Sequence, residues 1–216
     1  MKVALITGSE TFGDYIVNPT KWLALKMRGK VVCGHKIHSI VFPSIVRYPE
    51  DAETPGEMLV KKAIDIKADV ILSFGLASGV KGFCIERTGT NWIENKAYCA
   101  PHEHKRLIDP FRPAHEKVQI DLSRWDFLKI KQALKKNKIP CESKISDDVG
   151  NYSCNGWIYR TIYALKKYQL NIPYLFTHVA CTKKSIELIP HFSPKKTLIK
   201  ESDLVKALEI FLGAYH

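Results

Sequence analysis

The chain reads as an α/β protein, a mainly parallel, twisted sheet with helices on both faces, in one domain spanning residues 1–216. Three observations predict this. Short apolar, β-branched runs recur along the chain, and amphipathic segments at helical spacing separate them, the order that builds β–α–β units. No repeat, low-complexity tract or linker divides the sequence. A length of 216 residues, 45% of them hydrophobic, suits one sizeable core.

The first run, "KVALIT" (residues 2–7), is a buried strand closed by Gly8. Asn18 then stands as an N-cap, with Pro19 in the first helical position. "KIHSIVF" (36–42) is a strand stopped by Pro43. "TPGEMLVKKAIDIK" (54–67) is helical, with Met58, Leu59, Ala63 and Ile66 on its apolar side. "DVILSFGL" (69–76) is another buried strand. Between Gly89 and Val118 the pattern blurs, which predicts an irregular surface segment. "WDFLKIKQALKKN" (125–137) is an amphipathic helix with Phe127, Ile130, Ala133 and Leu134 inward. "PCESKIS" (140–146) reads as a strand. The next helix contains Cys154 in its first turn and buries Trp157, Ile158, Thr161, Ile162 and Leu165. "YLFTHVAC" (174–181) is a strand, and "DLVKALEIFLGAY" (203–215) is the closing helix.

Composition excludes several classes. No apolar run approaches the roughly 20 residues of a membrane span. The apolar start is too short for a signal peptide, so a cytoplasmic protein is expected. The six cysteines (33, 84, 99, 141, 154, 181) are irregularly spaced, which reads as free thiols, mostly small core hydrophobes. The net charge of +11 invites a nucleic-acid partner. The lysines, however, are scattered as doublets (61–62, 135–136, 166–167, 183–184, 195–196), better explained as solvated helix faces.

In a sheet of this kind chemistry collects beyond the carboxyl ends of the strands. Cys154 follows a polar turn and opens a helix, where unpaired N–H groups and the positive helix end favour a thiolate. His178 lies near the end of an apolar strand that follows that helix, and could meet Cys154 as imidazolium. Glu86, flanked by apolar and small residues, is a carboxylate that could orient the ring. Pairing with Arg87 or a nearby lysine is its bland alternative.

These segments together resemble the pyroglutamyl peptidase (pyrrolidone-carboxylate peptidase) family. "GLASGVKGFCIERTGTN" (75–91) is similar to the family's glutamate motif at Gly75, Leu76, Ala77, Ile85, Glu86, Arg87, Gly89 and Asn91. "GNYSCNGWIY" (150–159) is similar to its cysteine motif at Gly150, Tyr152, Cys154, Asn155 and Tyr159. "FTHV" resembles its histidine segment, and "TGSETFGDYIVNPT" (7–20) its amino-terminal stretch. The resemblance implies a three-layer α/β/α sandwich and a cysteine peptidase that removes N-terminal pyroglutamate through an acyl-enzyme. Cys154 would be the nucleophile, His178 the general base and then acid, and Glu86 the orienting carboxylate. Phe12, Asn18, Lys96 and Tyr152 would serve the substrate, a peptide with a blocked N-terminus. No metal or cofactor is implied, nor a nucleic-acid or membrane partner. Family members often form homo-oligomers, but no interface signal stands out here.

The departures cluster where substrate would be recognised. Ser9 replaces one of two aromatics that enclose the lactam ring, and Thr11 replaces a proline. Lys96 stands at an arginine. Asp147 and Asp148 replace small and amide residues before the nucleophile, where their charge would oppose a thiolate unless it is paired or used in capping. Losing one aromatic wall costs about 1–2 kcal/mol of burial, roughly tenfold in affinity. Two functions therefore stay open: a pyroglutamyl peptidase, or a divergent member that acts on or binds a different blocked N-terminus or cyclic amide. Two weaker patterns are a metal site at Cys99, His102 and His104, or at His35 and His38, and a dinucleotide loop at "ITGSETFG", which lacks the middle glycine.

Overall fold

The computed structural model describes residues 1–43, 55–94, 105–189 and 197–216. In chain order the elements are β1 (Lys2–Ser9), α1 (Pro19–Met27), β2 (Val31–Val32), β3 (His35–Phe42), α2 (Pro55–Asp65), β4 (Val70–Leu76), β5 (Phe83–Glu86) and β6 (Thr88–Thr90). There follow β7 (Ile93–Glu94), β8 (Lys105–Arg106), β9 (Lys117–Gln119), α3 (Phe127–Lys136), α4 (Ser153–Lys167), β10 (Tyr174–Val179), α5 (Lys183–Ile186) and α6 (Glu201–Gly213).

Six strands form the main sheet in the order β2-β3-β1-β4-β10-β5. The inner four are parallel, and the two edge strands run antiparallel to their neighbours. Strand parity sorts the side chains into two cores. Ala4, Ile6, Val70, Leu72, Phe74, Leu175 and Val179 pack against α1, α3 and α6 through Leu23, Ile130, Leu134, Leu208 and Phe211. Leu5, Ile71, Tyr174 and Phe176 pack against α2 and α4 through Leu59, Ala63, Trp157, Ile158 and Ile162. Helices cover both faces of a mixed sheet, and no described helix is long and apolar enough to cross a membrane.

The caps explain two helix starts. Asn18 accepts a hydrogen bond from the Thr20 amide to open α1, and Asp126 accepts from the Lys129 amide to open α3. Basic residues close α3 and α4 (Lys135, Lys136, Lys166, Lys167), exposed at the negative helix ends. Met58, expected on the inner side of α2, is 43% exposed. Gly56 meets Arg160 and Thr161 of α4 so closely that α2 presents Leu59, Val60 and Ala63 inward instead.

The sequence also placed a strand at residues 140–146, and this is corrected. That segment runs parallel to β5 and bridges it only at Phe83–Cys141 and Glu86–Ser146. Three residue steps on β5 face five on the segment, so two residues bulge out and the ladder breaks. β5 itself, not read as a strand from sequence, lies between this segment and β10. The blurred region contains two small antiparallel pairs, β6 with β9 and β7 with β8. Asn91 holds the intervening loop by donating to the carbonyls of Asp109, Arg112 and Pro113.

Gly8 lets α1 lie against β1. A Cβ there would fall 2.2 Å from the Thr20 carbonyl oxygen, a backbone atom that cannot step aside. Gly8→Ala is expected to lower stability by roughly 1–3 kcal/mol, read as a lower urea midpoint. An unchanged midpoint would contradict this packing.

Candidate active site

β10 ends at the carboxyl edge of the sheet, and parity decides which of its side chains face α4. Tyr174 and Phe176 lie in the α4 core, so His178, two residues on, points the same way. On β5, Phe83 and Ile85 face the opposite core, which turns Cys84 and Glu86 toward α4. In the antiparallel register His178 lies opposite Cys84, and Phe176 opposite Glu86. Glu86 is therefore His178's diagonal neighbour on one face, within reach of a long side chain.

That reach is realised. His178 Nδ1 lies 2.8 Å from Glu86 Oε1, with His178 6% exposed and Glu86 2%. Arg87, the bland partner for Glu86, instead forks onto Asp147, with Nε 2.7 Å from Oδ1 and Nη2 2.5 Å from Oδ2.

Cys154 arrives from the other side, at the second position of α4. β4 supplies the space for it. Gly75 is the β4 residue paired with His178, and a Cβ at Gly75 would stand 3.0 Å from Cys154 Sγ, 3.1 Å from His178 Cδ2 and 2.9 Å from Phe176 Cζ. Sulfur and ring thus close over one glycine. Phe176 backs the imidazole edge to face, with centroids 5.3 Å apart. Because Nδ1 is taken by Glu86, the nitrogen left for the sulfur is Nε2, the neighbour of Cδ2.

The electrostatics follow from this crowding. Burial alone pushes the His178 imidazole down. The charge on Cys154 and hydrogen bonds with Cys154 and Glu86 outweigh it and raise the ring to about 10. The surroundings accordingly favour the protonated ring.

The two acidic residues before the helix do not aim their charge at the sulfur. Asp147 is held to about 2 by hydrogen bonds from Arg87 and Thr88. Asp148 accepts from the Gly150 amide at 3.0 Å, folding the turn that leads into α4. The Arg87–Asp147 clasp also ties the residue after Glu86 to the turn before Cys154. Asn155, fully buried next to Cys154, fastens that turn to β6 by donating to the carbonyls of Thr90 and Trp92 and accepting from the Thr90 amide.

The other sequence candidates are placed unequally. Asn18, expected to serve substrate, is 1% exposed and its amide is spent on the protein: Nδ2 donates to Ser9 Oγ and the Glu10 carbonyl, and Oδ1 accepts from the Thr20 amide and hydroxyl. It shapes the loop after β1 and has no hydrogen-bonding capacity to spare for a ligand. Ser9, at the replaced aromatic, is buried as part of this network. Phe12 is half-buried and packs edge to face with Tyr15, centroids 5.2 Å apart. Tyr152 is 54% exposed at the N-cap of α4. Lys96 lies outside the described residues, as do Cys99, His102 and His104. His35 and His38 sit three positions apart on β3, on opposite faces, and cannot share a metal. Among the described residues no group of three or more metal-ligating side chains forms, and none of the five described cysteines is in a disulfide.

Sequence reasoning missed three contributors: Gly75 as a spacer, Cys84 beside Glu86, and the Arg87–Asp147 clasp. Gly75 and Arg87 stood within a recognised motif, but their work depends on contacts across more than 50 residues. Once β5 is paired with β10, alternation alone would have placed Cys84 next to Glu86.

A pyroglutamyl peptidase family model matches residues 1–210. The chain is 29% identical over 224 residues to the pyrrolidone-carboxylate peptidase of Oceanobacillus iheyensis, covering 99% of this chain and 98% of that one. It is 30% identical over 183 residues to the Pyrococcus furiosus enzyme of the same name, covering 81% and 82%. The solved pyrrolidone carboxyl peptidase of Thermococcus litoralis superposes with a TM-score of 0.79 at 24% identity, covering 100% of this chain and 93% of that one.

Charge on the sulfur contributes to the raised imidazole, so Cys154→Ser should let His178 titrate lower than in wild type, as read by NMR of its ring protons. The sign of the stability effect follows: the contribution of the charged ring is complete below its ordinary value of 6.5 and is lost as pH rises through about 10. A ring titrating alike in both proteins would contradict the contact.

Proposed function

We propose, because the chain belongs to the pyroglutamyl peptidase family of cysteine-type omega-peptidases, that it removes an N-terminal pyroglutamyl residue from peptides through Cys154, His178 and Glu86. The observation that carries this reading is the closure of Cys154 Sγ and the His178 ring over Gly75, with Glu86 on the far nitrogen.

In this reading the thiolate of Cys154 attacks the carbonyl carbon that joins pyroglutamate to the next residue. The oxygen becomes an oxyanion. The amides of Asn155 and Gly156 turn back to the Tyr152 carbonyl, which leaves those of Ser153 and Cys154 as helix-start donors for that charge. His178 then gives its proton from Nε2 to the departing amine, and the C–N bond breaks to leave a thioester. Water, deprotonated by the same nitrogen, releases pyroglutamate and restores the thiolate–imidazolium pair. Glu86 fixes the ring's orientation and balances its charge throughout. The chemistry asks for no metal or cofactor.

Phe12 is the apolar wall for the lactam ring, Tyr152 lines the approach to the sulfur, and Asn18 keeps the Phe12 loop in shape. Lys96 is assigned to substrate binding from its place at the family's arginine alone. The whole of residues 1–216 acts as one domain in this account. A second reading is favoured by one observation: Ser9 is turned into the Asn18 network and gives no second wall, which suits a different cyclic amide or blocked N-terminus.

Turnover of a pyroglutamyl-aminocoumarin amide tests this. Wild type should release the fluorophore, and Cys154→Ser should lose roughly a thousandfold or more in kcat. Rapid alkylation of Cys154 without release of fluorophore would move the assignment to the second reading, and turnover surviving in Cys154→Ser would end both.

A further inference from the structure

Glu86 holds His178 through Oε1 alone. Its second oxygen, Oε2, is buried and has no hydrogen-bond partner among the described residues, a costly arrangement for a carboxylate. Beside it lies a group for which the mechanism above has no use. Cys84 precedes Glu86 by two residues on β5, shares its face, stands directly opposite His178 in the register and is 5% exposed.

We propose that Cys84 is a positioning residue for this site, its thiol donating a hydrogen bond to the Glu86 carboxylate and keeping Oε1 turned toward His178. The proposal rests on the roles given to Glu86 and His178 above. A thiol is a weak donor, but its bond to an ionised acceptor in a water-free pocket is strengthened. The proton is also always there to give. Burial, followed by the charge of Glu86, pushes the Cys84 thiol up to about 12. With Cys84 removed, the carboxylate keeps one fixed contact and can rotate about its last bond. The imidazole is then held less firmly at the Cys154 sulfur.

The experiment compares wild type, Cys84→Ala and Cys84→Ser, with thermal melts to establish folding. Two quantities are read: the iodoacetamide alkylation rate at Cys154, resolved by peptide mass spectrometry, and kcat and KM on the pyroglutamyl-aminocoumarin amide. Cys84→Ala should slow alkylation and lower kcat by roughly three- to tenfold each with KM unchanged, and Cys84→Ser, which restores a donor, should recover most of both. The proposal is overturned if Cys84→Ala matches wild type in alkylation, or if Cys84→Ser is as slow as Cys84→Ala. A purely structural role would lower the melting temperature of both variants without separating them in rate. Should wild type fail to cleave the amide, the substrate assignment falls, while the alkylation series still decides the role of Cys84.

Discussion

A sulfur and an imidazole can share the space above Gly75 because that residue has no side chain, and the site depends on this constraint. Gly75 sits on β4, His178 beside it on β10, and Cys154 comes down from α4. A single carbon at residue 75 would press on all the groups that face it. The carboxyl edge of a parallel sheet is a common place for chemistry, and here parity and one missing Cβ determine which side chains meet.

The same crowding sets the energetics. An imidazolium that is 6% exposed would be expensive alone. Its cost is offset by Glu86 on one nitrogen and by the charge of Cys154 on the other side, and the balance favours the protonated ring. The surrounding charges are kept out of this exchange. Arg87 and Asp147 neutralise each other at the surface, where such a pair contributes little to stability but anchors the turn that presents Cys154. The acidic substitutions before the nucleophile are therefore compatible with a charged sulfur, because their carboxylates are engaged elsewhere.

Much of this was legible in the chain. β1, β4 and β10 announce themselves as apolar runs because both their faces are covered, and α1 shows its cap in Asn18. Cys154, His178 and Glu86 could be picked out as chemistry-bearing residues from their local settings. What could not be read was the pairing. "FCIE" is too short to declare itself a strand, while "PCESKIS" has strand composition yet carries two residues too many to pair with it. Asn18 looked available for substrate because its side-chain amide nitrogen is spent on Ser9 and the Glu10 carbonyl, residues that the fold brings to it. The segment held by Asn91 and Asn155 blurred for the same reason: its order comes from buried side-chain amides, which have no periodicity.

The central claim is that His178 activates the sulfur of Cys154, and the most direct measurement is the alkylation rate of that cysteine at neutral pH in wild type and in His178→Ala. The account predicts that wild-type Cys154 reacts at least about tenfold faster than an unperturbed thiol and that His178→Ala loses this advantage while remaining folded. Equal rates in the two proteins, both at the level of free cysteine, would contradict it.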